Sequence, residues 1–140
     1  MSSDFETVWV GATEDFAASH EALLVLSGAE IVQTDKKELA SVGYFQSNEA
    51  AMAIAKMRVN EPPKLQNGQY ALVLDDIRDP GNLGTIVRTA DWFGVKHIIA
   101  SEETADFYNP KVISASMGSF CRTSVYYTQI DAYLRESNLP

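Results

Sequence analysis

The stretch YALVLDDIRDPGNLGTIVRTADWFG, residues 70–94, leaves this chain few choices of fold. It begins as a continuous apolar run ending in two acids, the pattern of a strand buried on both faces. It continues with Leu83, Ile86, Val87, Ala90 and Phe93 at steps of three and four. That spacing predicts a helix over residues 82–93 with one apolar stripe, stopped by Gly94. The sequence HIIAS supplies the next strand. Asn109 and Pro110 make a cap and first-turn pair for a helix running to about Met117. TSVYYT is a further strand and IDAYLRES a last helix. Strands alternating with helices imply an α/β fold whose parallel sheet is joined by right-handed crossovers. Ligands of such sheets sit beyond the carboxyl ends of the strands, which is where residues 75–82 lie.

A second feature divides the chain. NEPPKLQNGQ, residues 60–69, has two adjacent prolines that favour extended backbone and an Asn-Gly turn signal. It reads as a linker between residues 1–59 and residues 70–140. Before it, TVWVGA is a strand, residues 14–26 form a helix that Gly28 ends, EIVQT is a strand, and KKELASVG is a short helix closed by Gly43. AAMAIAKM is helical by propensity, but a short apolar run before a linker also suits a strand, and we read it as one.

Composition narrows the function classes. The net charge is −8, which argues against wholesale electrostatic capture of nucleic acid and leaves that role to a few placed cations. A single cysteine, Cys121, excludes an internal disulfide. No apolar run is long enough to cross a bilayer and no export signal opens the chain, so a cytoplasmic protein without a membrane partner is the expectation.

The candidate site is the start of the helix at residue 82. Asn82 is placed to cap it. Gly84 costs roughly 1 kcal/mol relative to alanine inside a helix, so something is expected to approach the backbone there. Gly84, Thr85 and Arg88 share the face away from the apolar stripe. A guanidinium beside a helix N-terminus makes an anion site suited to phosphate. Alternatively, Arg88 pairs with Asp91 three residues on, as a surface ion pair. Asp75, Asp76 and Asp79 are close enough in sequence for a magnesium ion, but acids of this kind more often cap turns, and no metal is expected. His97 opens a strand and reads as structural. SASMGSF, residues 114–120, offers hydroxyls and a glycine, either for a ligand or for close helix packing and a cap. Trp92 and Phe93 serve the core or a subunit contact.

DPGNLGTIVRTADWFG closely resembles the first motif of the SpoU-type (TrmH-like) branch of the SPOUT RNA methyltransferases, and NPKVISASMGSFCRTSVYY resembles the segment that follows it there. Residues 70–139 match the first half of that catalytic domain in order and spacing. More weakly, residues 1–59 resemble part of the family's small α/β RNA-binding module. The resemblance implies a trefoil-knot α/β fold, a homodimer, and methyl transfer from S-adenosylmethionine to a ribose 2′-hydroxyl of rRNA or tRNA. It implies catalytic roles for Arg88 and Asn82, with RNA contacts from Arg88, Gly84, Thr85 and Ser116. A non-catalytic RNA-binding or assembly module is the alternative, and an unrelated small nucleotide-binding domain a second one.

The family's later motifs, which build most of the cofactor pocket, are absent from these residues, so the cofactor contacts are expected C-terminal to residue 140. The chain is accordingly expected to be a fragment, with Met1 an added start. The 140 residues alone should bind S-adenosylmethionine poorly. Isothermal calorimetry checks this: no heat at micromolar cofactor is expected, and micromolar affinity would contradict it.

Overall fold

The computed structural model describes residues 5–43 and 48–137, in two compact units, Phe5–Arg58 and the residues from Val59 onward. The termini of the two halves read from the sequence, residues 1–4 and 138–140, lie outside the described residues.

The first unit is a three-stranded sheet of order β2-β1-β3. Strand β1 (Thr7–Ala12) pairs parallel with β2 (Glu30–Gln33) and antiparallel with β3 (Ala51–Ala55). AAMAIAKM is therefore a strand. Val10, Ala12 and Leu24 form its core, with Phe16, Ala17, Ala29 and Ala51 packed around them. The helix expected over residues 14–26 is two helices, α1 (Glu14–Ser19) and α2 (Glu21–Ser27), separated at His20. The break falls where side chains bond to the helical carbonyls: Ser19 Oγ donates to Asp15 O at 2.8 Å, and His20 Nδ1 lies 3.1 Å from Phe16 O with its ring stacked on Phe16. Gly28 ends α2 in the left-handed region. Helix α3 (Lys36–Val42) opens on a capping box: Asp35 accepts from the Glu38 N–H and Glu38 accepts from the Asp35 N–H.

The second unit is a parallel sheet of order β4-β5-β6, formed by Ala71–Leu74, His97–Ala100 and Ser124–Tyr127. Helix α4 (Pro80–Trp92) connects β4 to β5. Helix α5 (Pro110–Ala115) and a 3₁₀ turn (Ser119–Cys121) connect β5 to β6, and α6 (Ile130–Glu136) follows. Asn109 caps α5 by accepting from the Lys111 N–H at 2.9 Å. Leu74, Leu83, Val87, Ala90, Ile98, Phe107 and Val112 make one core. The expected stripe on α4 holds at Leu83, Val87 and Ala90, with Ile86 partly buried, but fails at Phe93, which is 77% exposed. Helical geometry ends at Trp92, so Phe93 is the C-cap leading into Gly94 at φ 78°, and its side chain leaves the stripe. Trp92 is 86% exposed as well, so neither aromatic serves the core.

Two side chains fasten the end of β6. The carboxamide of Asn60 donates to Tyr127 O at 3.0 Å and accepts from Tyr127 N at 2.9 Å, standing in for a neighbouring strand at the sheet edge. The Tyr127 hydroxyl donates to Ala105 O at 2.6 Å and accepts from Phe107 N at 2.7 Å, tying the loop after β5 to β6. Burial pushes the Tyr127 phenol up to about 12. The folded state therefore favours the neutral phenol. The stability this gives is full below the ordinary tyrosine pKa of about 10 and is lost as pH rises from there towards 12. Tyr127→Phe leaves a donor and an acceptor unmet, and should cost about 1–3 kcal/mol in urea unfolding. An unchanged midpoint would show that these bonds contribute nothing.

Candidate nucleic-acid interface

Helix α4 begins one turn earlier than the capping role of Asn82 requires. Asp79 is its N-cap, accepting from the Asn82 N–H at 2.7 Å, and Pro80 fills the first helical position. Asn82 thus lies inside the first turn with its side chain exposed. Asp76, held at φ 55°, takes Arg78 at 2.6 Å, and its N–H donates to Ser101 Oγ at 2.8 Å. Asp76 and Asp79 are thereby committed to a turn and a cap. Among the described residues no group of three or more His, Cys, Asp or Glu is placed to hold a metal ion.

Gly84 is buried, and what approaches it is α5. A Cβ on residue 84 would meet Ala115 Cβ at 2.6 Å and the Val112 carbonyl oxygen at 2.7 Å. The Gly84 backbone is thus covered by α5 within the chain. Ser116 is buried as well, 0% exposed, and its hydroxyl donates to Ile113 O at 2.8 Å. The reading of SASMGSF as close packing followed by a cap is the one realised, with Gly118 at φ 86° after the helix.

Asn82, Thr85 and Arg88 remain on the outward side of α4, all exposed. Thr85 Oγ1 donates to Gly81 O at 2.9 Å, which orients its oxygen lone pairs away from the helix. Arg88 makes no ion pair among the described residues. In particular it does not pair with Asp91. Arg122, from the far end of the crossover, takes that carboxylate instead, with Nε 3.0 Å from Oδ2 and 3.2 Å from Oδ1 and Nη2 also on Oδ2. The sequence reading missed this pair. Its signal was an acid in the last turn of a helix, where the macrodipole disfavours negative charge unless a cation answers it.

His97 is structural. Its Nδ1 lies 3.1 Å from Ser124 Oγ, and burial, then the neighbouring Lys96 charge, lower its pKa. At the carboxyl ends of the strands, Asp75, Ser101, Glu102, Glu103, Thr128, Gln129, Ile130 and Asp131 line a cleft of about 190 Å³. Small-molecule sites span roughly 300–1,000 Å³ with largely apolar walls. This cleft is smaller and mostly polar, so it does not by itself enclose a cofactor of adenosine size.

The second unit is thus a parallel α/β unit whose post-strand helix carries, on its third turn, an exposed arginine with no ion pair among the described residues. The comparisons with known proteins make the class specific. Residues 69–139 match the SpoU rRNA Methylase family, and the chain belongs to that family. It is 36% identical over 73 residues to the 23S rRNA (guanosine(2553)-2'-O)-methyltransferase RlmP of Bacillus subtilis, covering 52% of this chain and 29% of the relative. It is 39% identical over 64 residues to the mitochondrial rRNA methyltransferase 3 of Mus musculus, covering 46% and 15%. Among solved structures it resembles the AdoMet-bound rRNA methyltransferase from Sinorhizobium meliloti, with a TM-score of 0.79 at 26% identity over 94% of this chain and 51% of that one. The SpoU methyltransferase AviRb from Streptomyces viridochromogenes, in complex with AdoMet, shares the fold at a TM-score of 0.77 and 20% identity, over 95% and 52%. The chain thus spans about half the length of these structures and under a third of these two relatives.

The packing role of Gly84 is testable. Gly84→Ala gains about 1 kcal/mol of helix propensity but forces a backbone oxygen and a short side chain apart. A net loss of about 1–3 kcal/mol in chemical denaturation is expected. A more stable Gly84→Ala protein would mean that α4 and α5 are not so tightly apposed.

Proposed function

We propose that the intact protein carrying this chain methylates the ribose 2′-hydroxyl of an RNA, with S-adenosylmethionine as methyl donor and ribosomal RNA as the favoured substrate class over transfer RNA. The observation that carries this is Arg88: exposed, unpaired among the described residues, and set on the motif that matches the family. The Bacillus and mouse relatives, both named as rRNA methyltransferases, favour ribosomal RNA.

In this reading the guanidinium grips the ribose-phosphate of the target nucleotide. Its planar fork of donors matches phosphate oxygens two at a time. An arginine is a poor proton acceptor, so Arg88 would hold and polarise the nucleotide; transfer of the methyl group to the 2′-oxygen leaves S-adenosylhomocysteine, and the hydroxyl proton passes to water. Asn82 and Thr85 present an amide and a hydroxyl on the same face, and the positive end of α4 adds to the attraction for phosphate. The cofactor supplies an electrophilic methyl group; its seat needs residues beyond the small acidic cleft described above. Residues 1–59 act as an RNA-binding module and residues 70–140 as the start of the catalytic domain, joined by the 60–69 linker. A cytoplasmic homodimer completes the reading, and the outward Trp92 and Phe93, 86% and 77% exposed, suit a subunit contact. Among the described residues no helix is long and apolar enough to cross a membrane.

Incubating the intact protein with labelled S-adenosylmethionine and ribosomal RNA, then digesting to nucleosides, tests the proposal. A labelled 2′-O-methylnucleoside is expected, and Arg88→Ala should lower kcat/KM roughly 10–100-fold, the worth of a charge-assisted hydrogen bond. Base methylation, or an Arg88→Ala enzyme at the parent rate, would refute it.

A further inference from the structure

Asp91 stands three residues after Arg88 on α4. Residues at that spacing are neighbours on a helix surface, and an Asp and an Arg placed so would ordinarily pair. Such a pair would occupy the guanidinium that the proposed function needs free. The structure shows another arrangement. Arg122 covers both carboxylate oxygens of Asp91 through Nε and Nη2, and Nη2 also reaches Ser119 Oγ at 3.3 Å. The Asp91 side chain is 17% exposed and that of Arg122 37%, so the pair is partly withdrawn from solvent. The hydrogen bond from Arg122 lowers the Asp91 pKa, so the carboxylate is charged and would attract any cation within reach.

We propose that Arg122 is a positioning residue that sequesters Asp91, keeping Arg88 unpaired for the RNA backbone. This rests on the reading of Arg88 as the RNA-contacting group. The physical logic is a competition between two guanidinium groups for one carboxylate. Arg88 is the local partner, fixed by the helix; Arg122 is remote in sequence, delivered by the crossover through α5 and the 3₁₀ turn. A bidentate-type contact with a partly buried acid outweighs an exposed pair at three-residue spacing, which contributes only a few tenths of a kcal/mol. The remote arginine therefore wins, and the local one is left for ligand. The arrangement also explains how an acid is tolerated in the last turn of α4, where the helix dipole opposes it. A chain carrying a net charge of −8 gains most from such a device, because its RNA contact depends on a few cations staying available.

The test uses four forms of the intact protein, with RNA affinity measured as a function of salt. Arg122→Gln keeps a donor towards Ser119 but drops the charge, freeing Asp91 to capture Arg88. RNA affinity should fall about two- to threefold, and the slope of log affinity against log salt should shrink by a fraction of one phosphate contact. Asp91→Asn alone should bind at least as tightly as the parent, since an acid is removed and no phosphate contact is lost. The double variant Arg122→Gln/Asp91→Asn should recover both affinity and slope, because the competing carboxylate is gone. A purely structural role for Arg122 predicts that Asp91→Asn restores stability but leaves the salt slope at the parent value in every variant, so the slope carries the test. Thus a double variant with the slope of Arg122→Gln overturns the inference, as does an Arg122→Gln protein at the parent slope. Should Arg122→Gln fail to fold, Arg122→Lys serves in its place: a lysine holds the carboxylate at one point, so an intermediate loss that Asp91→Asn relieves is expected, and an unrelieved loss overturns the inference. Arg88→Ala, run alongside, separates the two ideas. If it binds like the parent, the reading of Arg88 falls; if it binds weakly while rescue fails, only the role of Arg122 falls.

Discussion

Helix α4 can lie against α5 because residue 84 has no side chain. The Val112 carbonyl and Ala115 occupy the space that a Cβ would need. This contact fixes the rotation of α4 about its axis. With Gly84 turned to α5, Leu83, Val87 and Ala90 fall into the core and Asn82, Thr85 and Arg88 fall outside it. The same apposition seals Ser116, whose hydroxyl then finds the Ile113 carbonyl. The glycine therefore acts on function indirectly: it sets which side of the helix a ligand can meet.

Electrostatics complete the placement. In an acidic chain a lone surface cation would ordinarily be neutralised by a neighbour. Here the acid one turn on, Asp91, is engaged by Arg122, and the acids before the helix are held in its entry turn, Asp76 with Arg78 and Asp79 with the first turn of α4. Loop ties reinforce this. Ser101 and Thr104 accept from the backbone N–H groups of Asp76 and Ile77, so the turn that leads into Asp79 is anchored to the loop after β5. Fold and charge arrangement therefore meet on the outward face of α4.

The order of elements was legible because it rests on short-range patterns: apolar runs for β4 to β6, a three-four spacing for α4, and Asn-Pro for the start of α5. The parts that were not legible depend on distant partners. Asn82 and Asp79 are both good caps, and Pro80 at the first helical position was the cue that favoured Asp79. Gly84 correctly announced a close approach, yet only the packed structure shows that α5 makes one. The Arg88–Asp91 pair was the natural local guess; the actual partner of Asp91 lies 31 residues away. Phe93 continued the apolar spacing but fell one residue past the helix, and the break at His20 arose from side-chain bonds that no periodicity reports. The family resemblance on the DPGNLG motif agrees with the family to which residues 69–139 belong.

The availability of the Arg88 guanidinium to RNA is the claim on which the account turns, and arginine side-chain NMR reads it directly. The intact protein, labelled with ¹⁵N, is titrated with a short single-stranded RNA while the Nε–Hε resonances are followed. The account predicts that the Arg88 signal, exchange-broadened by solvent in the free protein, sharpens and shifts on RNA addition while that of Arg122 stays put. An Arg88 resonance already protected without RNA, or unmoved when RNA is bound, would contradict it.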